Sequence, residues 1–124
     1  MRVQRSSTLT SFLLWLGVAA PPAAWATQLV VGYGAEEADC SSGTRLFDGA
    51  HPVAVWTSVA AGVVTVLALL AATWLWRLTH ERWPDTHGHI PFMAPLGVLS
   101  GLIFLALIVV TAVGVTHFDP CRPG

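Results

Sequence analysis

The strongest constraint on the fold is an unbroken apolar run from Val53 to Trp76, VAVWTSVAAGVVTVLALLAATWLW. It contains no charged residue, no proline and a single glycine. About 20 residues at a rise of about 1.5 Å each cross a hydrocarbon core about 30 Å thick. Because lipid offers the backbone no hydrogen-bonding partners, a segment inside it must pair its own amides and carbonyls. The run therefore predicts a membrane-spanning α-helix, despite its many β-branched valines.

A second uncharged run, Met93–Thr116, predicts another span, and it carries a GxxxG pattern at Gly97 and Gly101. Small residues on one stripe allow a neighbouring backbone to approach closely. We therefore expect Gly97 and Gly101, with Ser58 and Gly62 of the central run, to be helix-packing positions. In the central run the small stripe comprises Thr57, Ser58, Ala61, Gly62, Thr65, Ala68 and Ala72, and the side expected to face lipid comprises Val59, Val63, Val66, Leu70 and Trp74.

The N-terminal segment has two interpretations. One is a retained span over residues 11–33, kinked at Pro21-Pro22 because proline removes a backbone donor and clashes with the preceding turn. The other is a secretory signal peptide over residues 1–26, with basic residues before a short apolar core and a small-residue site at Ala24-Trp25-Ala26. Apolar residues continue beyond that site, which favours the retained helix. Within it, Gln28 predicts a hydrogen bond to a neighbouring helix or to a cofactor, or a polar helix contact near the interface.

Composition agrees with a membrane protein. Of the 124 residues, 54% are hydrophobic and only 10% are charged, whereas about a quarter of a soluble domain is charged. The formal net charge of −1 gives no reason to expect a nucleic-acid partner.

The arginines predict the orientation. Arg2 and Arg5 precede the first span, and Arg77 and Arg82 follow the second, so four of the six basic residues fall on one side. Positively charged loops stay in the cytoplasm. The N-terminus and an inner loop over 77–92 are therefore predicted to be cytoplasmic. An outer loop over 34–52 and a tail over 117–124 are predicted to face outward. The acidic cluster of that loop is either a solvated surface or a docking site for a basic partner.

The two cysteines fall on the predicted outer face. Cys40 and Cys121 are expected to form a disulfide in an oxidising periplasm. A metal site formed by Cys40, His51, His117 and Cys121 is the alternative, since thiolate and imidazole bind copper or zinc. A second group of histidines, His80, His87 and His89, lies in the inner loop, but its spacing matches no standard metal pattern.

The N-terminal third has a recognisable pattern: Trp15-Leu16-Gly17, then Pro21-Pro22-Ala23-Ala24-Trp25, Gln28-Leu29-Val30-Val31-Gly32-Tyr33 and Cys40. It resembles small three-helix membrane proteins associated with bacterial haem–copper (cytochrome c oxidase) operons. The resemblance implies an accessory or assembly subunit without redox ligands of its own, and it implies a haem–copper oxidase as the partner.

These observations predict an all-α integral membrane protein, a single domain over 1–124 with three spans at about 11–33, 53–76 and 93–116, N-terminus inside and C-terminus outside. We expect a multi-pass protein of the bacterial inner membrane that is not an enzyme and carries no cofactor. Its expected partners are larger integral membrane subunits and the lipid bilayer. A periplasmic-face metal-handling protein and a small transporter component are the alternatives, although no charge lies within the predicted spans.

Overall fold

The computed structural model describes residues 2–41, 50–82 and 90–117. These residues form three α-helices: α1 (Arg2–Ser41), α2 (Ala50–Arg82) and α3 (Ile90–His117). Each contains a segment long and apolar enough to cross a bilayer, namely Thr8–Ser41, Pro52–Leu78 and Phe92–His117. The prediction of an all-α membrane protein with three spanning helices is confirmed.

The helices extend beyond the predicted spans. α1 continues through the acidic segment to Ser41, so residues 34–41 of the predicted outer loop are helical. Two alanines and two glutamates among these eight residues favour helix irrespective of the membrane. α2 likewise continues past Trp76 to Arg82. Pro52 and Pro91 lie in the first turns of α2 and α3, where a missing N–H costs little. The rest of the predicted loops, with His87, His89 and Asp48, falls outside the described residues.

Contacts between specific residues define how the helices run. Gly17 of α1 lies against Ala72 of α2, whereas Gln28 further along α1 bonds to Ser58 near the start of α2. α1 and α2 are therefore antiparallel. α3 runs parallel to α1, because Gly17 lies against Gly97 and Trp25 lies against Phe104.

The bundle consequently has two distinct ends. We call the end where α1 begins, α2 ends and α3 begins the arginine end, since Arg77 lies there. The opposite end, where α1 ends at Ser41, α2 begins and α3 ends at His117, we call the cysteine end, after Cys40.

Exposed aromatic side chains mark both ends of the apolar segments. On α2, Trp56 is 72% exposed and Trp74 is 60% exposed. On α1, Trp15 and Tyr33 are similarly exposed. In each helix the pair is separated by about 18 residues, or about 27 Å at 1.5 Å per residue. That separation is close to the hydrocarbon thickness of about 30 Å, and tryptophan and tyrosine prefer its two borders.

Candidate functional site

The helices meet along a line of small side chains on α2. The buried positions that form it, here called the small-residue seam, are Ala54, Ser58, Ala61, Thr65, Ala68 and Ala72. They alternate in steps of four and three, the spacing that keeps one stripe of a helix turned toward its neighbours. The side chains expected to face lipid, including Val59, Val63 and Leu70, are exposed. α2 therefore has one buried side and one exposed side, with Thr57 and Gly62 half-buried at the border.

All three helices come together at Ala72. A Cβ built on Gly17 of α1 would lie 3.7 Å from the Ala72 Cβ, and one built on Gly97 of α3 would lie 3.4 Å from it. The same Gly97 position lies 3.7 Å from the Gly17 carbonyl. One turn further along α3, a Cβ on Gly101 would lie 2.9 Å from Leu69 Cδ1. Gly97 and Gly101 therefore both lie where α3 closely approaches α2.

The proline pair of α1 is connected to this contact. The helix runs without interruption through Pro21 and Pro22, and Pro21 is almost fully buried. Proline has no N–H, so the carbonyls four residues earlier, those of Gly17 and Val18, lose their usual helical donors. Ser100 Oγ of α3 donates to the Val18 carbonyl at 3.4 Å. A neighbouring hydroxyl thereby compensates a carbonyl freed within the membrane. The bend predicted at Pro21-Pro22 stays a prediction.

Toward the cysteine end, α1 and α2 are joined by a polar contact. Gln28 Nε2 donates to Ser58 Oγ at 2.8 Å, and Ser58 Oγ donates to the Ala54 carbonyl at 2.8 Å. Gln28 is only 4% exposed. Of the two alternatives for Gln28, the structure therefore has a hydrogen bond to a neighbouring helix. Gln28 Oε1 and Trp25 Nε1 are buried and have no hydrogen-bond partner among the described residues.

Gly62 differs from the other predicted packing positions. A Cβ added there would meet no heavy atom within 4 Å. It borders a shallow apolar depression of about 210 Å³ between α2 and α3. This α2–α3 groove is lined by Val55, Ser58, Val59, Gly62, Leu105, Ile108, Val109, Ala112, Val115 and Thr116. Gly62 thus leaves space on the outer surface instead of admitting another helix of this bundle.

The residues of the candidate disulfide and metal site are only partly described. Cys40 and His117 are exposed at the cysteine end, and His51 is the second residue of α2. Cys40 is not a free cysteine. Cys121 lies outside the described residues, so its pairing with Cys40 stays a prediction. Within residues 2–41, 50–82 and 90–117, no group of three or more His, Cys, Asp or Glu residues is placed to hold a metal ion.

Two residues of the interface were not singled out as packing positions from the sequence. Gly17 belongs to the pattern that carries the resemblance, and Trp25 belongs both to that pattern and to the candidate cleavage site. The signal that identifies Gly17 is periodicity: Leu14, Gly17, Pro21, Gln28 and Gly32 are all buried, at steps of three, four or seven. Trp25 lies on the same stripe, four residues after Pro21, and is half-buried. The prolines concealed this stripe, because they suggested an interruption of the helix.

The side chains in the interior of the bundle serve helix packing. The buried polar side chains of the described helices are Gln28, Ser58 and Thr65, none of which is charged. Thr65 Oγ1 donates to the Ala61 carbonyl of its own helix at 2.8 Å.

Comparison of the chain with protein-family models, with curated proteins and with solved structures finds no match. Its function is therefore inferred from its own residues.

Proposed function

We propose that this protein is a non-catalytic accessory or assembly subunit of a larger complex in the bacterial inner membrane. The first partner to test is a respiratory terminal oxidase of the haem–copper class, which the sequence resemblance implies. The observation that carries the proposal is the contrast between an interior of small side chains and an outer surface of large apolar ones.

The interior leaves little space for chemistry. Ala72 contacts both neighbouring helices at their glycines. From Ala72 toward the cysteine end, the small-residue seam consists of alanine, serine and threonine. Helices that approach this closely enclose neither a cofactor-sized chamber nor a wide polar route. A structural role in contact with other membrane subunits fits this arrangement better than catalysis or transport does.

The outer surface offers a place for a partner. Exposed valines, leucines and isoleucines cover the outward faces of all three helices. The α2–α3 groove interrupts this surface, and at Gly62 it is open down to the backbone. In membranes, small residues admit a partner helix. We propose that a helix of the larger subunit packs at this groove.

Retention of residues 1–26 is part of the proposal. Leu14 belongs to a buried cluster with Leu75 and Ala94, and Gly17 and Pro21 are buried against the other helices. Cleavage after Ala26 would remove all three residues and expose the seam of α2. The contacts of this segment therefore support its function as a permanent helix.

The proposed orientation places the arginine end in the cytoplasm. Arg2 and Arg5 begin α1, and Arg77 and Arg82 end α2, so the helix arrangement brings these four residues to one end of the bundle. Cys40 then faces the periplasm, where we propose that it pairs with Cys121. Should the same end bind metal instead, the reduced protein would retain copper or zinc after purification.

Purification of the tagged full chain from its native membranes in mild detergent, followed by quantitative mass spectrometry, tests the proposal. We expect larger integral membrane subunits to copurify in a fixed ratio, with oxidase subunits among them. Peptides from residues 1–26 should be recovered from the same sample. Recovery of the intact chain alone, at native expression level, would contradict the subunit assignment.

The variant Gly62→Leu locates the contact. A leucine there fills the groove, and its Cβ meets no atom of this bundle within 4 Å, so copurification should fall while the chain stays folded. Val63→Leu, on an exposed face one residue further along, is the matched control and should copurify normally. Equal recovery of partners with both variants would show that the groove is not the contact surface.

A further inference from the structure

The arginine end of α2 carries a second surface depression, distinct from the α2–α3 groove. Its volume is about 300 Å³, and its lining includes Thr73, Trp76, Arg77 and His80. They occupy positions i, i+3, i+4 and i+7 of one helix, so they share one face. The Trp76 and His80 rings meet edge to face, with centroids 6.4 Å apart and planes at 72°. The depression therefore combines an aromatic wall with an imidazole and a guanidinium.

The depth of this depression in the membrane follows from the helix geometry. Trp56 and Trp76 are separated by about 20 residues, or about 30 Å along the axis. That distance matches the hydrocarbon thickness, and exposed tryptophans mark its borders. Arg77 comes directly after Trp76, and the apolar segment ends at Leu78. We therefore expect the Arg77 guanidinium to reach the lipid phosphates just outside this border.

Among the polar groups of the depression, the Arg77 guanidinium is the cation that can bind an external ligand. Arg77 is exposed, and within the part of the chain that the structure describes no ion pair joins it to Glu81, one turn further along. The Thr73 hydroxyl is engaged within its own helix, where Oγ1 donates to the Leu69 and Leu70 carbonyls at 3.0 and 2.9 Å. The guanidinium is thus the principal donor that faces outward. Arginine donates two parallel hydrogen bonds to a phosphate, which a lysine cannot reproduce.

We propose that Trp76, Arg77 and His80 bind the phosphate of an anionic phospholipid headgroup, with the first methylenes of its acyl chains against the half-exposed Trp76 ring. A membrane lipid is favoured over free phosphate because the charged part of the depression adjoins an apolar one at the membrane border. Basic pockets between transmembrane helices are known to bind anionic lipid headgroups. The proposal is independent of the partner complex.

The test is native mass spectrometry of the full chain, exchanged from detergent into an equimolar mixture of phosphatidylglycerol and phosphatidylcholine with identical acyl chains. The wild-type chain should retain phosphatidylglycerol preferentially. Arg77→Gln should lower phosphatidylglycerol retention about fivefold, the effect expected from one basic residue at a membrane surface. Arg77→Lys should give an intermediate value, and His80→Gln should reduce retention less than Arg77→Gln does.

Two controls make the result decisive. Arg45→Gln removes the same charge from the segment between α1 and α2 and should leave retention unchanged. Inorganic phosphate at millimolar concentration should not displace the lipid from the wild-type chain. Equal retention of the two lipids by the wild type, equal losses in Arg77→Gln and Arg45→Gln, or displacement by inorganic phosphate would each overturn the proposal. Circular dichroism of every variant checks that the helices remain formed.

Discussion

The two halves of the bundle are packed by different means. Toward the arginine end, Gly17, Gly97 and Gly101 bring the three backbones together around Ala72 and Leu69. Toward the cysteine end, a hydrogen bond between Gln28 and Ser58 joins α1 to α2, and the α2–α3 groove lies between the other two helices. One half therefore depends on the absence of side chains, and the other depends on a polar contact.

The difference shows that small residues in membrane helices can have different structural roles. Gly97 is a contact position because Ala72 and the Gly17 backbone occupy the space beside it, whereas nothing lies within 4 Å of a Cβ at Gly62. The first glycine serves the internal packing of the bundle. The second keeps a surface open, which is why we assign it to an external partner.

The largest effect is expected at the three-helix contact. Gly97→Leu should destabilise the bundle by about 3 kcal/mol, at the upper end of overpacking costs, because Ala72 and the α1 backbone have no rotamer that could make room. The free energy of unfolding in a graded detergent–denaturant titration measures it. Gly62→Leu is the matched control and should change stability by no more than about 0.5 kcal/mol. Equal destabilisation by the two variants would remove the distinction between the halves.

A smaller effect is expected at the polar contact, where the two partners should differ. Ser58→Ala should cost about 1–2 kcal/mol, since it leaves the buried Gln28 amide without its partner. Gln28→Met removes the donor together with the unpaired Oε1 and should cost less than about 1 kcal/mol. In a double-mutant cycle, Ser58→Ala should add almost nothing once Gln28 is replaced. Strictly additive losses would show that the hydrogen bond contributes nothing measurable.

The smallest effect is expected at Thr65, the most deeply buried polar residue of the seam. Its hydroxyl donates to the Ala61 carbonyl of the same helix, so it joins no two helices. Thr65→Val keeps the shape of the side chain and should cost below about 0.5 kcal/mol in the same unfolding titration. A loss as large as that of Ser58→Ala would mean that Thr65 holds the helices together in a way its hydrogen bond does not reveal.

Much of this architecture follows from the sequence, because lipid imposes strong requirements on a chain. Uncharged runs of sufficient length must be helical in a bilayer, and the three spans could be predicted on that ground. Steps of three and four between small residues predicted the buried face of α2. The ends of the helices were less predictable, since α1 continues to Ser41, well beyond the apolar run that ends at Tyr33.

The role of each glycine could not be derived in this way. Gly62 and Gly97 both lie among apolar residues, and only the positions of the other helices distinguish open space from contact. The proline pair was equally ambiguous. Its local effect on the backbone was clear, but the donation from Ser100 to the freed Val18 carbonyl depends on the register of α3 against α1.

The meeting of three helices at Ala72 is the central claim, and engineered disulfides test it most directly. In a chain with Cys40 and Cys121 replaced by serine, Gly17→Cys or Gly97→Cys is combined with Ala72→Cys. The corresponding Cβ separations of 3.7 and 3.4 Å are close to those of disulfides, about 3.5–4.5 Å.

After mild oxidation in native membranes, peptide mass spectrometry should detect both cross-links. It should detect none between Gly17→Cys and Leu70→Cys, whose native leucine is exposed on the outward face. Cross-linking at Ala72 from both neighbours is the predicted result. Its absence from either neighbour, or equal cross-linking at position 70, would contradict the three-helix contact.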